Sequence, residues 1–147
     1  MGLSDREREF LAEHHSAAMI TLKPDGTPHA VRVGVAMVDG RLWSSGTQRR
    51  VRTGHLRRDP RCTLFVFDPR WRALTLETTV TILEGPEAPE QNLRLFQEMQ
   101  RGMSPGPSPG HLLWSGQERT FDEFLRIMVE EQRLIYELEV IRGYGLF

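Results

Sequence analysis

Two turn signals sit close together near the start of this chain, and each is flanked by alternating apolar residues. The first is the stretch Lys23–Pro28, "KPDGTP"; the second is Asp39-Gly40. Asp-Gly favours tight two-residue hairpins, because both turn positions need positive φ. Proline and glycine in the first stretch break regular structure in the same way. Little other than an antiparallel meander satisfies both signals. It predicts strands over Ala17–Lys23, His29–Val38 and Arg41–Ser45.

The remaining segments extend this pattern. "LSDREREF" opens with Ser4 and Glu7, a capping box, and predicts a helix from Asp5 to His14. Pro60 confines the next helix to about Arg50–Arg58, with Thr47 or a nearby serine as its expected cap. "RCTLFVF" reads as a fourth strand, and "WRALTLETTVTILEG" as a long fifth. Residues 86–101 become a helix with Leu93, Phe96 and Met99 on one stripe. Residues 102–110 are too rich in proline and glycine for regular structure. Thr120 and Glu123 form a second capping box, and the helix after it carries Phe121, Phe124, Leu125, Met128 and Val129 as its stripe. "RLIYELEV" alternates and reads as a sixth strand. Strand and helix do not alternate strictly, so a small antiparallel barrel with helical insertions is expected rather than a parallel α/β sheet.

Composition excludes several classes. The 147 residues fit one domain, 1–147, and carry a formal net charge of -1, unlike a general polyanion binder. Cys62 is the lone cysteine, so no disulfide forms within the chain, and a reducing cytoplasm is the expected compartment. No run approaches the roughly 20 apolar residues that span a bilayer. The five histidines lack metal-ligand spacing, and no nucleophile motif or Walker loop is present. No metal, membrane or nucleic-acid partner is expected. The Arg-rich run also lacks the interleaved aromatics on which single-stranded bases stack.

That run, "GTQRRVRTGHLRRDPR", Gly46–Arg61, holds six arginines and no acid before Asp59. Ser45, Thr47, Arg50 and Arg52 lie at the start of the expected helix, where free N–H groups and forked guanidinium bonds suit a phosphate. Arg57 and Arg58 fall at its other end and suit the helix dipole or the surface. The strand His29–Val38 has one bulky face, His29, Val31, Val33, Val35 and Met37. Its other face is Ala30, Arg32, Gly34, Ala36 and Val38, small enough to admit either a flat ligand or a closely packed element. A phosphate clamp and a flat slot without an evident nucleophile suggest that a cofactor does the chemistry; the catalytic residues themselves are not apparent.

In this setting the pattern D-G-x-P-H at Asp25–His29 gains weight. So do the run from Arg50 to Asp59-Pro60, Trp71 ahead of the fifth strand, and the ending "RLIYELEVIRGYG". In order and spacing the chain resembles the flavin/deazaflavin oxidoreductases with the pyridoxamine-phosphate-oxidase-like split β-barrel. It is most similar to the branch that uses the 8-hydroxy-5-deazaflavin coenzyme F420. The resemblance implies a mainly β, six-stranded antiparallel split barrel with short helices, forming a homodimer with the cofactor in a groove between subunits. It places the phosphate end at Arg50, Val51 and Arg52, and the ring along His29, Ala30, Arg32, Val33 and Gly34, near Ser45. Trp71 would join the groove, from the partner chain, or else serve as a simple core or interface anchor. The implied activity is hydride transfer between the deazaflavin and a small organic substrate. FMN is the alternative cofactor, and a non-catalytic flavin carrier the alternative role. Absence of a basic C-terminal segment disfavours oxidation of the vitamin itself.

Overall fold

The computed structural model describes residues 2–147. Its elements run α1 (Asp5–Glu13), β1 (Ser16–Leu22), β2 (Pro28–Val38), β3 (Arg41–Thr47), α2 (Val51–Arg58), β4 (Arg61–Phe67) and β5 (Ala73–Leu83). There follow α3 (Ala88–Gln100), β6 (His111–Trp114), β7 (Gln117–Thr120), α4 (Phe121–Glu130) and β8 (Arg133–Leu146). Six strands close an antiparallel barrel in the order β1-β2-β3-β8-β5-β4, and β6-β7 form a separate hairpin. The fold is thus mainly β with four short helices, as expected.

Local chemistry sets the elements. Asp39 and Gly40 both take positive φ, 50° and 77°, and fold the β2-β3 hairpin. Both expected capping boxes form, at Ser4–Glu7 and Thr120–Glu123. Three expectations change. Arg50 is the N-cap of α2 and no side chain caps that helix; Thr47 ends β3 instead. Trp71 lies in the turn before β5, which begins at Ala73. Val129 is 63% exposed, because α4 turns only Phe124 and Met128 fully inward, against α3 and the hairpin.

The barrel interior is filled by Met19, Val33, Val35, Leu64, Val66, Leu74, Leu76, Leu134, Tyr136 and their neighbours. α1 packs on this core through Phe10 and Leu11, at the end where β1 starts. α2 joins β3 to β4 and packs at the other end through Leu56. α3 covers a second cluster outside the barrel, formed by Ala36, Val38, Trp43, Leu95 and Ile135. β8 is longer than expected, 14 residues, because it crosses a bulge. Glu77 pairs with Arg142 and Thr78 with Val140, so Ile141 is the extra residue.

Candidate functional site: a seam between β2 and β3

The ladder joining β2 to β3 covers only Val35–Val38 and Arg41–Ser44. Beyond that point the two strands part. Pro28–Gly34 of β2 pairs with β1 alone, and Ser45–Thr47 of β3 pairs with β8 alone. Each leaves an unpaired edge towards the other. Ser44 Oγ donates to the Gly34 carbonyl at 2.7 Å and marks where the opening begins. Open main-chain edges inside a sheet are unusual unless something else meets their polar groups. His29, Ala30, Arg32, Val33 and Gly34 line one side of this seam; Ser45 and Thr47 line the other.

The wider end of the seam is closed by α2. His29 meets His55 edge to face at 5.0 Å, and the His55 ring shares a hydrogen bond of 2.9 Å with Thr21 Oγ1. Thr53 Oγ1 donates to the Thr47 carbonyl at 2.7 Å and also pairs with the Tyr136 hydroxyl. A Cβ on Gly46 would collide with that hydroxyl, so glycine is what lets Tyr136 pass beneath β3.

Arg52 lies within this knot. Its Nη2 donates to the Ser45 carbonyl at 3.2 Å, and its guanidinium stacks 5.6 Å from the Tyr136 ring centre. Burial holds its pKa below the ordinary value, and neighbouring Arg50 and Arg133 push the same way, against the pull of Tyr136. Arg52 Nε and His29 Nδ1 are buried without a hydrogen-bond partner among the described residues. Such orphaned groups call for an occupant. An anion beside Arg50, Arg52 and Arg133 would relieve the crowded charge.

A depression of about 360 Å³ opens there, between Thr47, Arg49 and Arg50 on one side and Glu130, Glu131, Gln132 and Arg133 on the other. Arg133 is held by Glu131 at 2.8 Å and stacks 5.0 Å over Trp114. The later arginines are otherwise engaged. Arg57 makes a forked pair with Glu84 at 2.7 and 2.8 Å, and Arg58 donates to the Leu22 carbonyl. They belong to the surface, as their position at the helix C-terminus suggested.

The structure therefore gathers Ser45, Thr47, Arg50 and Arg52 at one end of the seam. Val51 is exposed beside them. The small face of β2 divides. Ala36 and Val38 lie beneath α3, and a Cβ on Gly34 would come 2.7 Å from Met99 Sδ. At that end the close-packing explanation holds, and the free space is along the strand edge rather than across its face. Arg32 faces outward and stacks on Phe67 at 5.7 Å. Trp71 stands apart: β4 runs seven residues from α2 to its turn, about 20 Å at strand rise. It is 75% exposed. Sequence reasoning missed Thr53, Tyr136 and Arg133. Tyr136 is one position of the alternating stretch "RLIYELEV"; the others carry no local signal.

On the outer face of β2, β1, β4, β5 and β8, α3 covers β2 and β8 only at Gly34, Ala36, Val38 and Ile135. Register aligns Arg32, Ala18, Phe65, Thr75 and Tyr144 in one row across it. Phe65 is 40% exposed and Tyr144 52%. Among the described residues no three His, Cys, Asp or Glu side chains cluster as metal ligands would, and no helix is long and apolar enough to cross a membrane.

A family model described as pyridoxamine 5'-phosphate oxidase matches residues 3–131. None of the curated proteins matches the chain. Among solved structures, a conserved hypothetical protein from Mycobacterium tuberculosis aligns at 20% identity and TM-score 0.73, over 98% of this chain and 84% of the other. A protein named F420 reductase aligns at 19% and 0.67, over 97% and 98%. A heme binding protein from Mycobacterium smegmatis aligns at 15% and 0.63, over 99% and 55%. At such identities the likeness is one of fold, and proteins with different ligands share it.

Proposed function

The chain belongs to the pyridoxamine 5'-phosphate oxidase family, and from that premise we propose that it is an oxidoreductase using coenzyme F420, with the cofactor lying along the β2-β3 seam. The observation that carries this reading is the seam itself: two unpaired strand edges that lead directly to three neighbouring arginines. A flat ring with polar edges would meet the free main-chain groups of both strands, and His29 Nδ1 and Arg52 Nε are unpartnered beside it. When bound, the deazaflavin supplies two-electron hydride chemistry towards a small organic substrate. Arg50 and Arg52 hold its phosphate, with the Val51 backbone between them. His29, Ala30, Arg32, Val33 and Gly34 align the ring on one side, and Ser45 and Thr47 on the other.

Residues 1–147 act as one cytoplasmic split-barrel domain and pair as a homodimer. The face carrying Phe65 and Tyr144 is the surface for the second copy, and Trp71 of the partner subunit closes the groove. The likeness to the F420 reductase fold supports this choice of cofactor. One observation favours FMN instead: Arg57 and Arg58 are engaged within the chain, and Glu130 and Glu131 border the arginine depression. That setting suits a single phosphate better than an acidic tail.

Titration of the purified protein with each cofactor, followed by fluorescence quenching, tests the assignment. The wild-type chain is expected to bind F420 more tightly than FMN. Arg52→Glu should weaken binding at least about tenfold by reversing a phosphate contact while leaving the circular dichroism spectrum unchanged. Unaltered affinity counts against the site; tight binding of FMN alone exchanges the two cofactors. Binding without turnover of any electron-poor substrate would favour a carrier.

A further inference from the structure

Ser45 forms one side of the seam, and its proton is already committed. Its Oγ lies 2.5 Å from Asn92 Oδ1. Asn92 is fully buried on α3, and its Nδ2 faces the Ala88 carbonyl at 2.9 Å and the Leu134 carbonyl at 3.4 Å. Both carbonyls can only accept, so they take the two amide protons and fix which way the amide points. Asn92 Oδ1 is then an acceptor with no water to compete for it. The single hydroxyl proton of Ser45 must go to it. The Ser45 carbonyl is likewise occupied, by Arg52 Nη2 at 3.2 Å. What remains free on Ser45 Oγ, beside the seam, is lone pairs alone.

We infer that Asn92 makes Ser45 an acceptor-only contact, so that the ligand must bring a hydrogen-bond donor to this point. This rests on the seam holding a flavin or deazaflavin ring. The pyrimidinedione part of either ring carries one N–H, at N3, between two carbonyls. That N–H is the group assigned to Ser45. The flanking ring carbonyls then face N–H donors, which the unpaired β2 edge offers. The pyrimidine end of the ring thus sits at β3, whichever of the two cofactors is used. Asn92 acts through Ser45 and is a positioning residue.

The test is a binding cycle, read by fluorescence quenching, using FMN and its N3-methyl derivative with wild type, Ser45→Ala and Asn92→Leu. N3-methylation is expected to cost wild type about tenfold or more in affinity, the effect of facing a buried acceptor with no donor. Ser45→Ala should lose a similar factor for FMN and little for the methylated ring. Asn92→Leu frees the serine proton and should narrow the difference between the two ligands. If Asn92→Leu does not fold, Ser45→Ala and the ligand pair carry the test alone. Equal binding of FMN and N3-methyl FMN by wild type overturns the inference while leaving the ring site standing. So does a Ser45→Ala protein that binds FMN as tightly as wild type, since the methyl penalty is then steric. Failure of wild type to bind either FMN or F420 removes the ring site, and the inference with it.

Discussion

His55 shows how a single side chain ties stability to pH at this site. It is buried and pairs with Thr21, and the groups facing it are all basic: His29, Arg58 and Lys23. Burial first, then those neighbours, lowers its pKa below the ordinary 6.5. The unfolded chain, with an ordinary imidazole, therefore takes up a proton at a pH where the folded chain does not. The sign follows: this contribution is complete above about 6.5 and is lost as pH falls through the lower folded value. The denaturant midpoint of the wild type should drop between about pH 7.5 and about pH 5.5, and His55→Gln should drop less. An equal drop in both proteins would place the acid sensitivity elsewhere. Because His55 abuts His29, a protonated His55 also disturbs the end of the seam where α2 begins.

Among the elements, α4 has the most to do with the arginine cluster. Its C-terminal turn leads straight into Arg133, and the Gln48 N–H bonds the Gln132 carbonyl at 3.2 Å. Its first turn is fixed by the Thr120–Glu123 capping box. Thr120→Ala should cost about 1 kcal/mol, a fall in Tm of roughly 2–4 °C by calorimetry, without loss of the barrel. Capping boxes of this kind, and the Asp39-Gly40 hairpin, were legible in the sequence because their causes are local. The β6-β7 hairpin was not. Its turn, Ser115-Gly116, does take positive φ, but its strands are four residues each, and one of them is "QERT". The last six of the fourteen residues of β8 were hidden for a related reason. The bulge at Ile141 breaks the two-residue period, so "IRGYGLF" no longer reads as strand. The arginines of the candidate site stood out by composition. The seam did not, because it depends on where the β2-β3 ladder stops, a property of two distant segments together. Asn92 looked like any polar helix residue until α3 was placed over β3.

At the scale of the whole molecule, the barrel leaves one broad face to be explained. Phe65, Tyr144, Leu146 and Trp71 are exposed on it or at its rim. A second copy seated there would cover them and bring Trp71 of the partner subunit towards the seam. Phe65→Glu should then convert a dimer to a monomer in light scattering and weaken cofactor binding with it. A variant that remains dimeric would move the interface elsewhere. The order of strands has a consequence of another kind. β8 is the staple between β3 and β5, and it is made last. While the ribosome is still adding residues 133–146, the nascent chain holds two sheet flanks with nothing to bind them. Barrel closure must wait for β8, and until that strand is made the edges of β3 and β5 stay open to wrong partners.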